Sequence, residues 1–370
     1  MRYYIIAGEA SGDLHGSNLI KEIIKLDKNA VIRAWGGDKM KNAGANLVKH
    51  FKELAFMGFY EVLINIYTII KNLKFCKEDI KQFNPDKIIF IDYPGFNLRI
   101  AKWAKKNNFF TCFYIAPQIW AWDEKRIKNI KLYIDKLYVI LPFEKKYYEN
   151  KHGYNVKFLG HPLLDSIHNF KNSININFHT INNLNCKKEI ISILPGSRKQ
   201  EIKKILGMML EVVEYFPKYQ FIIAGAPNVE LEFYQNIVGN KQVKVIKDRT
   251  YSLLSNSKAA LVTSGTATLE TAIFKVPQVV CYKTSLFSYL IARIFVKIKF
   301  ISLVNLIMDK EIIKELIQKE CNKNNIIKEL KKILNNDNKE KLSKKYDKLI
   351  SLLGSTGSSK RVAKDIVLNT

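Results

Sequence analysis

The chain has 370 residues, 47% of them hydrophobic and 12% aromatic, which is too apolar for a disordered protein and enough for a large core, ordinarily in two domains. Its 60 Lys and Arg against 34 Asp and Glu leave a formal charge of +26, so an anionic partner must be considered: nucleic acid, a lipid surface or a phosphorylated substrate. Five scattered cysteines (Cys76, Cys112, Cys186, Cys281, Cys321) without CxxC spacing exclude a disulfide scaffold and fit a reducing compartment.

In chain order, Tyr3–Ala7 is too short for a signal-peptide core and reads as a first buried strand. Further strands are expected at 30–35, 87–92, 109–115, 136–141 and 156–159, with helical periods between them, among them 14–26 and 98–107. Residues 56–75 are apolar at helical spacing (Phe59, Val62, Leu63, Ile66, Ile69, Ile70, Leu73). That pattern suits either a helix packed on a sheet or one lying in a membrane interface. Residues 166–188 are Asn-rich and irregular and read as a linker. Strands are expected again at 190–194, 219–224, 243–246, 259–263 and 278–282. Residues 286–308 are long enough to span a bilayer, but Arg293, Lys297 and Lys299 fall in the middle, each costing roughly 2.5–3.5 kcal/mol on insertion. The segment is expected to dock on a membrane rather than cross it. The tail from Asp309 is Lys/Glu-rich and expected to be helical. Alternating near-continuous apolar strands and helices define an α/β protein: two Rossmann-like doubly wound parallel-sheet domains facing across a cleft, 1–165 and 189–345, followed by a C-terminal helix, 346–370.

In such sheets ligands collect at the carboxyl ends of strands, and the distinctive residues gather there. Glu9, Ser11, Gly12 and Asp13 follow the first strand as a polar cluster; Glu9, Ser11 and Gly12 are candidate substrate contacts, and Ser11 or Asp13 suits the helix N-cap. Asp92 closes the strand 87–92 before Pro94 and Gly95. It can take the proton of an attacking hydroxyl, or simply cap the following turn. Trp120, Trp122 and Arg126 are candidate acceptor contacts, with ordinary packing as the alternative. Gly196, Ser197 and Arg198 end the strand 190–194, and Arg198 is one of only eight arginines among the sixty cations. A guanidinium holds a diphosphate at two points, which lysine cannot; the alternative is a pair with Glu201 on the first helical turn. Ser264, Gly265, Thr266 and Thr268 open a helix after the strand 259–263, where small residues let backbone N–H groups approach a phosphate. Glu270, one turn later, suits ribose hydroxyls or a surface carboxylate. His161-Pro162 reads as structural. The six histidines share no ligand spacing with each other or with cysteine, so no metal site is expected.

Taken in order, GEASGD (8–13), IDYPGFN (91–97), PQIWAW (117–122) with Arg126, LPFE (141–144), GHP (160–162), LPGSR (194–198) with Glu201, and SGTATLE (264–270) resemble the lipid-A-disaccharide synthase family. The resemblance implies a GT-B fold. It also implies an inverting transfer from UDP-2,3-diacylglucosamine to 2,3-diacylglucosamine 1-phosphate, giving a β-1,6-linked disaccharide phosphate and UDP without metal or cofactor. Asp92 matches the family's proposed general base, Arg198 its essential arginine, and Asn305 a functional asparagine. The family further implies a cytoplasmic enzyme peripheral on an anionic inner-membrane surface, and a homodimer with exchanged C-terminal parts, the last helix returning to an N-terminal domain. Membrane contact then falls to Val62, Leu63, Ile66, Ile69 and Ile70. The rival readings are an enzyme similar to UDP-N-acetylglucosamine 2-epimerase and a nucleic-acid-binding protein. Against the latter, the lysines are spread through the chain and no RNA or DNA motif occurs.

Overall fold

A computed structural model of the chain describes residues 1–54, 66–172, 178–284 and 299–368; for Ile66 and residues 336–338 it describes the backbone alone. The chain forms two compact units, Met1–His168 with Leu353–Thr370, and Asn169–Leu352.

The first unit is built on a parallel sheet in the order β3-β2-β1-β4-β5-β6-β7. Its strands are β1 (Arg2–Ala7), β2 (Val31–Gly36), β3 (Asn46–His50), β4 (Lys87–Ile91), β5 (Phe110–Tyr114), β6 (Lys136–Val139) and β7 (Lys157–Phe158). The central strands are apolar on both faces because both are covered. Helix α1 (Ala10–Leu26) packs Leu19, Ile20 and Ile23 against Tyr3, Ile5, Ile89 and Ile91. On the other face, α2 (Ile66–Phe83) and α3 (Pro94–Lys106) set Cys76, Ile80, Phe96 and Ile100 against Tyr4, Ile6, Ile88 and Phe90. Neighbouring residues of β1 and β4 thus serve opposite layers, as the two-residue strand period requires. Helix α4 (Pro142–Lys146) follows β6, and α5 (Pro162–Lys171) leads out of the unit.

The second unit repeats the plan in the order β10-β9-β8-β11-β12-β13. Its strands are β8 (Glu189–Leu194), β9 (Tyr219–Gly225), β10 (Lys244–Lys247), β11 (Ser257–Thr263), β12 (Gln278–Tyr282) and β13 (Lys314–Ile317). Its helices include α6 (Lys199–Leu210), α7 (Thr266–Ile273), α8 (Leu303–Met308) and α9 (Asn336–Leu352). In both sheets the chain runs outward one way and then restarts on the other side of the first strand. The switch points lie between β1 and β4 and between β8 and β11, where ligands bind in open α/β sheets.

The final helix, α10 (Ser358–Leu368), lies against α1 in the first unit. Charge of the appropriate sign meets each of its ends. Asp165 accepts the amides of Gly357 (2.5 Å), Ser358 (3.2 Å) and Ser359 (2.8 Å), while Lys87 and Lys136 donate to the carbonyls of Ile366 and Asp365. The Asp365 carboxylate accepts from the Tyr138 hydroxyl (2.7 Å) and Lys157 (2.6 Å).

Two edge strands escape a reading by apolar runs. β3 (NLVKH) is only partly buried, and β13 (KELI) sits in the Lys/Glu-rich tail expected to be helical. It is a strand because Glu315 turns inward to a set of donors that no period reveals. The Asn-rich stretch 166–188 contains the end of α5 and a short helix, Phe178–Ile181. Residues 56–65 and 286–298 of the two apolar segments lie outside the described residues, and with them Val62 and Leu63. Among the described residues no helix is long and apolar enough to cross a membrane.

Candidate active site

At the first switch point the backbone is strained. Asp92 and Tyr93 both adopt left-handed φ, 46° and 51°, and Ile115 at the end of neighbouring β5 does so at 64°. Each non-glycine residue in this region costs on the order of 1–3 kcal/mol and persists only where its surroundings hold it. Asn97 does so here. Fully buried on α3, it donates to the Asp92 carbonyl (2.6 Å) and, more weakly, to Ile6 and Ile91 (both 3.4 Å), tying the ends of β1 and β4 together. The turn also presses the Tyr93 ring onto Gly8, where a Cβ would lie 2.4 Å from the ring, so only glycine fits. Asp92, expected as the last strand residue, stands one residue beyond β4, partly buried at its carboxyl end. Burial pushes its carboxyl above the usual range, offset in part by a backbone hydrogen bond from Tyr93.

Glu9 is half-buried at the N-cap of α1, and its charge, after burial, helps raise the Tyr93 phenol. Ser11 is exposed and Gly12 buried, packed so that a Cβ would lie 3.0 Å from Ala7 Cβ. Neither Ser11 nor Asp13 is the N-cap. The Asp13 carboxylate instead accepts the amides of Gly37 (2.8 Å), Met40 (3.0 Å) and Lys39 (3.2 Å), capping the helix Asp38–Asn42. Trp120 donates its indole N–H to Glu144 (2.9 Å) and meets Phe143 edge-on. Trp122 is 52% exposed, with the Arg126 guanidinium 4.5 Å above its ring and Asp123 holding Arg126 at 2.6 Å. Glu144, Asn97 and the strained turn were not singled out by spacing. Glu144 and Asn97 had one trace each in the sequence, their places in LPFE and IDYPGFN.

At the second switch point the groups face outward. Gly196 (φ 106°) turns the chain after β8, and Ser197 and Arg198 are exposed. Arg198, at the N-cap of α6, lies 3.4 Å from Glu201 through Nη1. After β11, Gly265 (φ 145°) and Thr266 are exposed at the start of α7, and among the described residues no atom lies within 4 Å of where a Gly265 Cβ would be. Free space over N-terminal amides suits an anion. Thr263, the last residue of β11, carries a buried hydroxyl with no hydrogen-bond partner among the described residues, and its methyl carbon lies 3.8 Å from where a Gly196 Cβ would be.

Three residues expected to touch nucleotide or substrate also make hydrogen bonds within the unit. The Thr268 hydroxyl, fully buried, donates to Gly265 O (2.8 Å), and Ser264 donates to Ile301 O (2.7 Å). Asn305 is fully buried with both ends occupied. Its amide donates to Ile313 O and Glu315 (both 2.8 Å), and its carbonyl accepts from Ile312 (2.7 Å) and Ile313 (3.0 Å). Both protons and both lone pairs of the side-chain amide are thus used within the described residues, the arrangement of a strut beneath the loop. Glu270 is half-buried and accepts the Tyr251 hydroxyl at 3.2 Å.

Two parallel sheets of one winding order, each with its switch point between the first strand and the fourth, define the GT-B fold class. Solved structures of similar fold include UDP-GlcNAc 2-epimerase from Neisseria meningitidis bound to UDP-GlcNAc (14% identity, TM-score 0.71, all of both chains) and the calicheamicin glycosyltransferase (12%, TM-score 0.60, 99% and 97%). At such identity these show the fold alone.

The model of the family described as lipid-A-disaccharide synthetase matches residues 3–367. Lipid-A-disaccharide synthases from Syntrophus aciditrophicus (35% identical over 97% of this chain and 95% of theirs) and Coxiella burnetii (36% over 90% and 89%) are among the similar proteins. The chain belongs to the lipid-A-disaccharide synthase family and is a hexosyltransferase.

Proposed function

We propose that the chain joins UDP-2,3-diacylglucosamine to 2,3-diacylglucosamine 1-phosphate, releasing UDP and forming the β-1,6-linked lipid A disaccharide 1-phosphate in one inverting displacement. The observation that carries the assignment of roles is Asp92, held in a strained turn at the first switch point with its carboxyl raised by burial. A base poised nearer neutrality accepts the proton of the acceptor's 6-hydroxyl as it attacks the anomeric carbon. Charge gathers on the departing UDP. Arg198 and the amides opening α7 meet that charge with preorganised donors. The Glu9 carboxylate beside Tyr93 and the Trp120 loop line the acceptor side; Trp122 and Arg126 offer it a cation-backed aromatic face.

Both substrates carry acyl chains, so the enzyme works peripherally at the cytoplasmic face of an anionic inner membrane, as a homodimer. On α2, Tyr67 (78% exposed) and Ile70 (58%) share an outward face with Lys71, Lys74 and Phe75, while Ile69 is half-buried and Leu73 packs on the core. An apolar face edged by lysines suits a headgroup layer. Ile70→Glu should cut co-sedimentation with anionic vesicles without lowering thermal stability; undiminished binding would remove α2 as the contact.

The test of the whole reading is incubation with the two acylated glucosamines, following UDP release and disaccharide formation. Conversion of UDP-N-acetylglucosamine alone, with no disaccharide, would favour an epimerase instead.

A further inference from the structure

Glu270 lies four residues past Thr266 on α7, so the two share a helix face about 6 Å apart along the axis. The Tyr251 hydroxyl, from the helix Thr250–Ser255, donates to Glu270 Oε1 at 3.2 Å. Tyr251 is itself packed between two rings. Phe170, on α5, meets it edge-on at 5.7 Å between centroids, and Phe274, just past α7, lies at 5.5 Å; Phe170 and Phe274 are 5.9 Å apart. Burial, then the Glu270 charge, pushes the Tyr251 phenol up, so its hydroxyl keeps its proton and stays a donor. A partly buried phenol seeks a partner, which accounts for a hydrogen bond from Tyr251. It does not account for the partner being a carboxylate one turn behind the exposed Gly265 and Thr266, where the proposed reaction sets the diphosphate.

We propose that Tyr251 is a positioning residue for the donor nucleotide: its hydroxyl fixes the Glu270 carboxylate to receive the vicinal diol of a ribose while the diphosphate rests on the N-terminus of α7. This deepens the proposed function and rests on its reading of the second switch point as the UDP site, with Glu270 toward the ribose. The 2′- and 3′-hydroxyls of a nucleoside diphosphate lie several bonds from its phosphates, a separation that one helical turn of about 5.4 Å spans. A carboxylate offers about four acceptor positions, so a donor at one of them orients it without exhausting it. Fixing the carboxylate beforehand lowers the ordering cost of binding, and the ribose hydroxyls then donate to a charged acceptor. Phe170 and Phe274 belong to the same unit as Tyr251 and hold its ring, so the hydroxyl is placed by packing before any ligand arrives.

The test compares UDP with 2′,3′-dideoxy-UDP by calorimetric titration, in the unsubstituted chain and in Tyr251→Phe, which keeps the ring and removes only the hydroxyl. The unsubstituted chain should prefer UDP by about tenfold or more. In Tyr251→Phe that preference should shrink about three- to tenfold through weaker binding of UDP, while 2′,3′-dideoxy-UDP binds as before. An unchanged preference, or equal losses for both nucleotides, would overturn the inference, since a merely structural Tyr251 would not distinguish them. If Tyr251→Phe fails to fold, Phe170→Leu decides: it loosens the packing on the Tyr251 ring and should also shrink the preference, and an unmoved preference sinks the idea. Failure of the underlying reading looks different. The unsubstituted chain itself would then bind no UDP, or bind both nucleotides alike, and the inference would fall with it.

Discussion

The two units wind their sheets in the same order but furnish their switch points in opposite ways. In the first, the groups are sunk in the protein. Asp92 is partly buried, Glu144 and Asn97 wholly so, the backbone is left-handed at Asp92 and Tyr93, and both carboxyls are raised by burial. In the second, Ser197, Arg198, Gly265 and Thr266 are exposed, and the buried groups beneath them, Thr268 and Asn305, are consumed in holding the loops. A proton acceptor benefits from low dielectric and few partners; an anion site benefits from open donors on a rigid base. On the proposed reading, one topology supports a place that handles protons and a place that handles charge, distinguished by burial rather than by strand order.

Three experiments press on that contrast. The largest effect on stability is expected at the base of the second site. Asn305→Leu strands the Ile312 and Ile313 amides and removes a donor from Glu315, and should cost about 3 kcal/mol in denaturant unfolding. UDP affinity of the folded fraction should change little; a large loss of affinity at unchanged stability would make Asn305 a contact after all. Next, Arg198→Lys should weaken UDP by about 10- to 100-fold in a calorimetric titration, since a point charge does not replace the guanidinium fork. Arg198 is exposed, so the thermal midpoint should hold. Full affinity in the lysine variant would reduce its role to net charge.

The smallest effect concerns the first unit's buried histidines. His161 and His15 are held to about 3 and about 4, chiefly by burial. Their folded values lie below the unfolded one near 6.5, so the stability they contribute is complete above pH 6.5 and is lost as pH falls below it. His161→Asn retains an acceptor for the Leu163 amide that His161 Nδ1 now serves. Between pH 7.5 and pH 5 the stability advantage of the unsubstituted chain over this variant should shrink by about 2 kcal/mol. A constant difference would mean His161 is not buried as a neutral ring.

What could be read from the chain follows the same physics. The places of Asp92 and Arg198 at strand ends were legible because KIIFI and IISIL are unbroken buried runs. Glu144 was not singled out: it opens a helix ending in Lys145 and Lys146, a setting that looks like surface, and only Trp120 arriving from another loop buries it. The partners of Asn305 were not legible, because they lie in a charged tail whose strand, β13, shows no apolar run. Local pattern reveals strands buried on both faces and the turns that end them. It does not reveal edge strands or polar groups whose partners come from far along the chain.

The central claim is that proton transfer belongs to the first unit and charge stabilisation to the second. Asp92→Asn separates them most directly, with turnover on the acylated substrates and UDP binding measured on one preparation. Turnover should fall by about 10²–10⁴ while UDP affinity stays as it was. Normal turnover, or loss of UDP binding together with activity, would contradict the account.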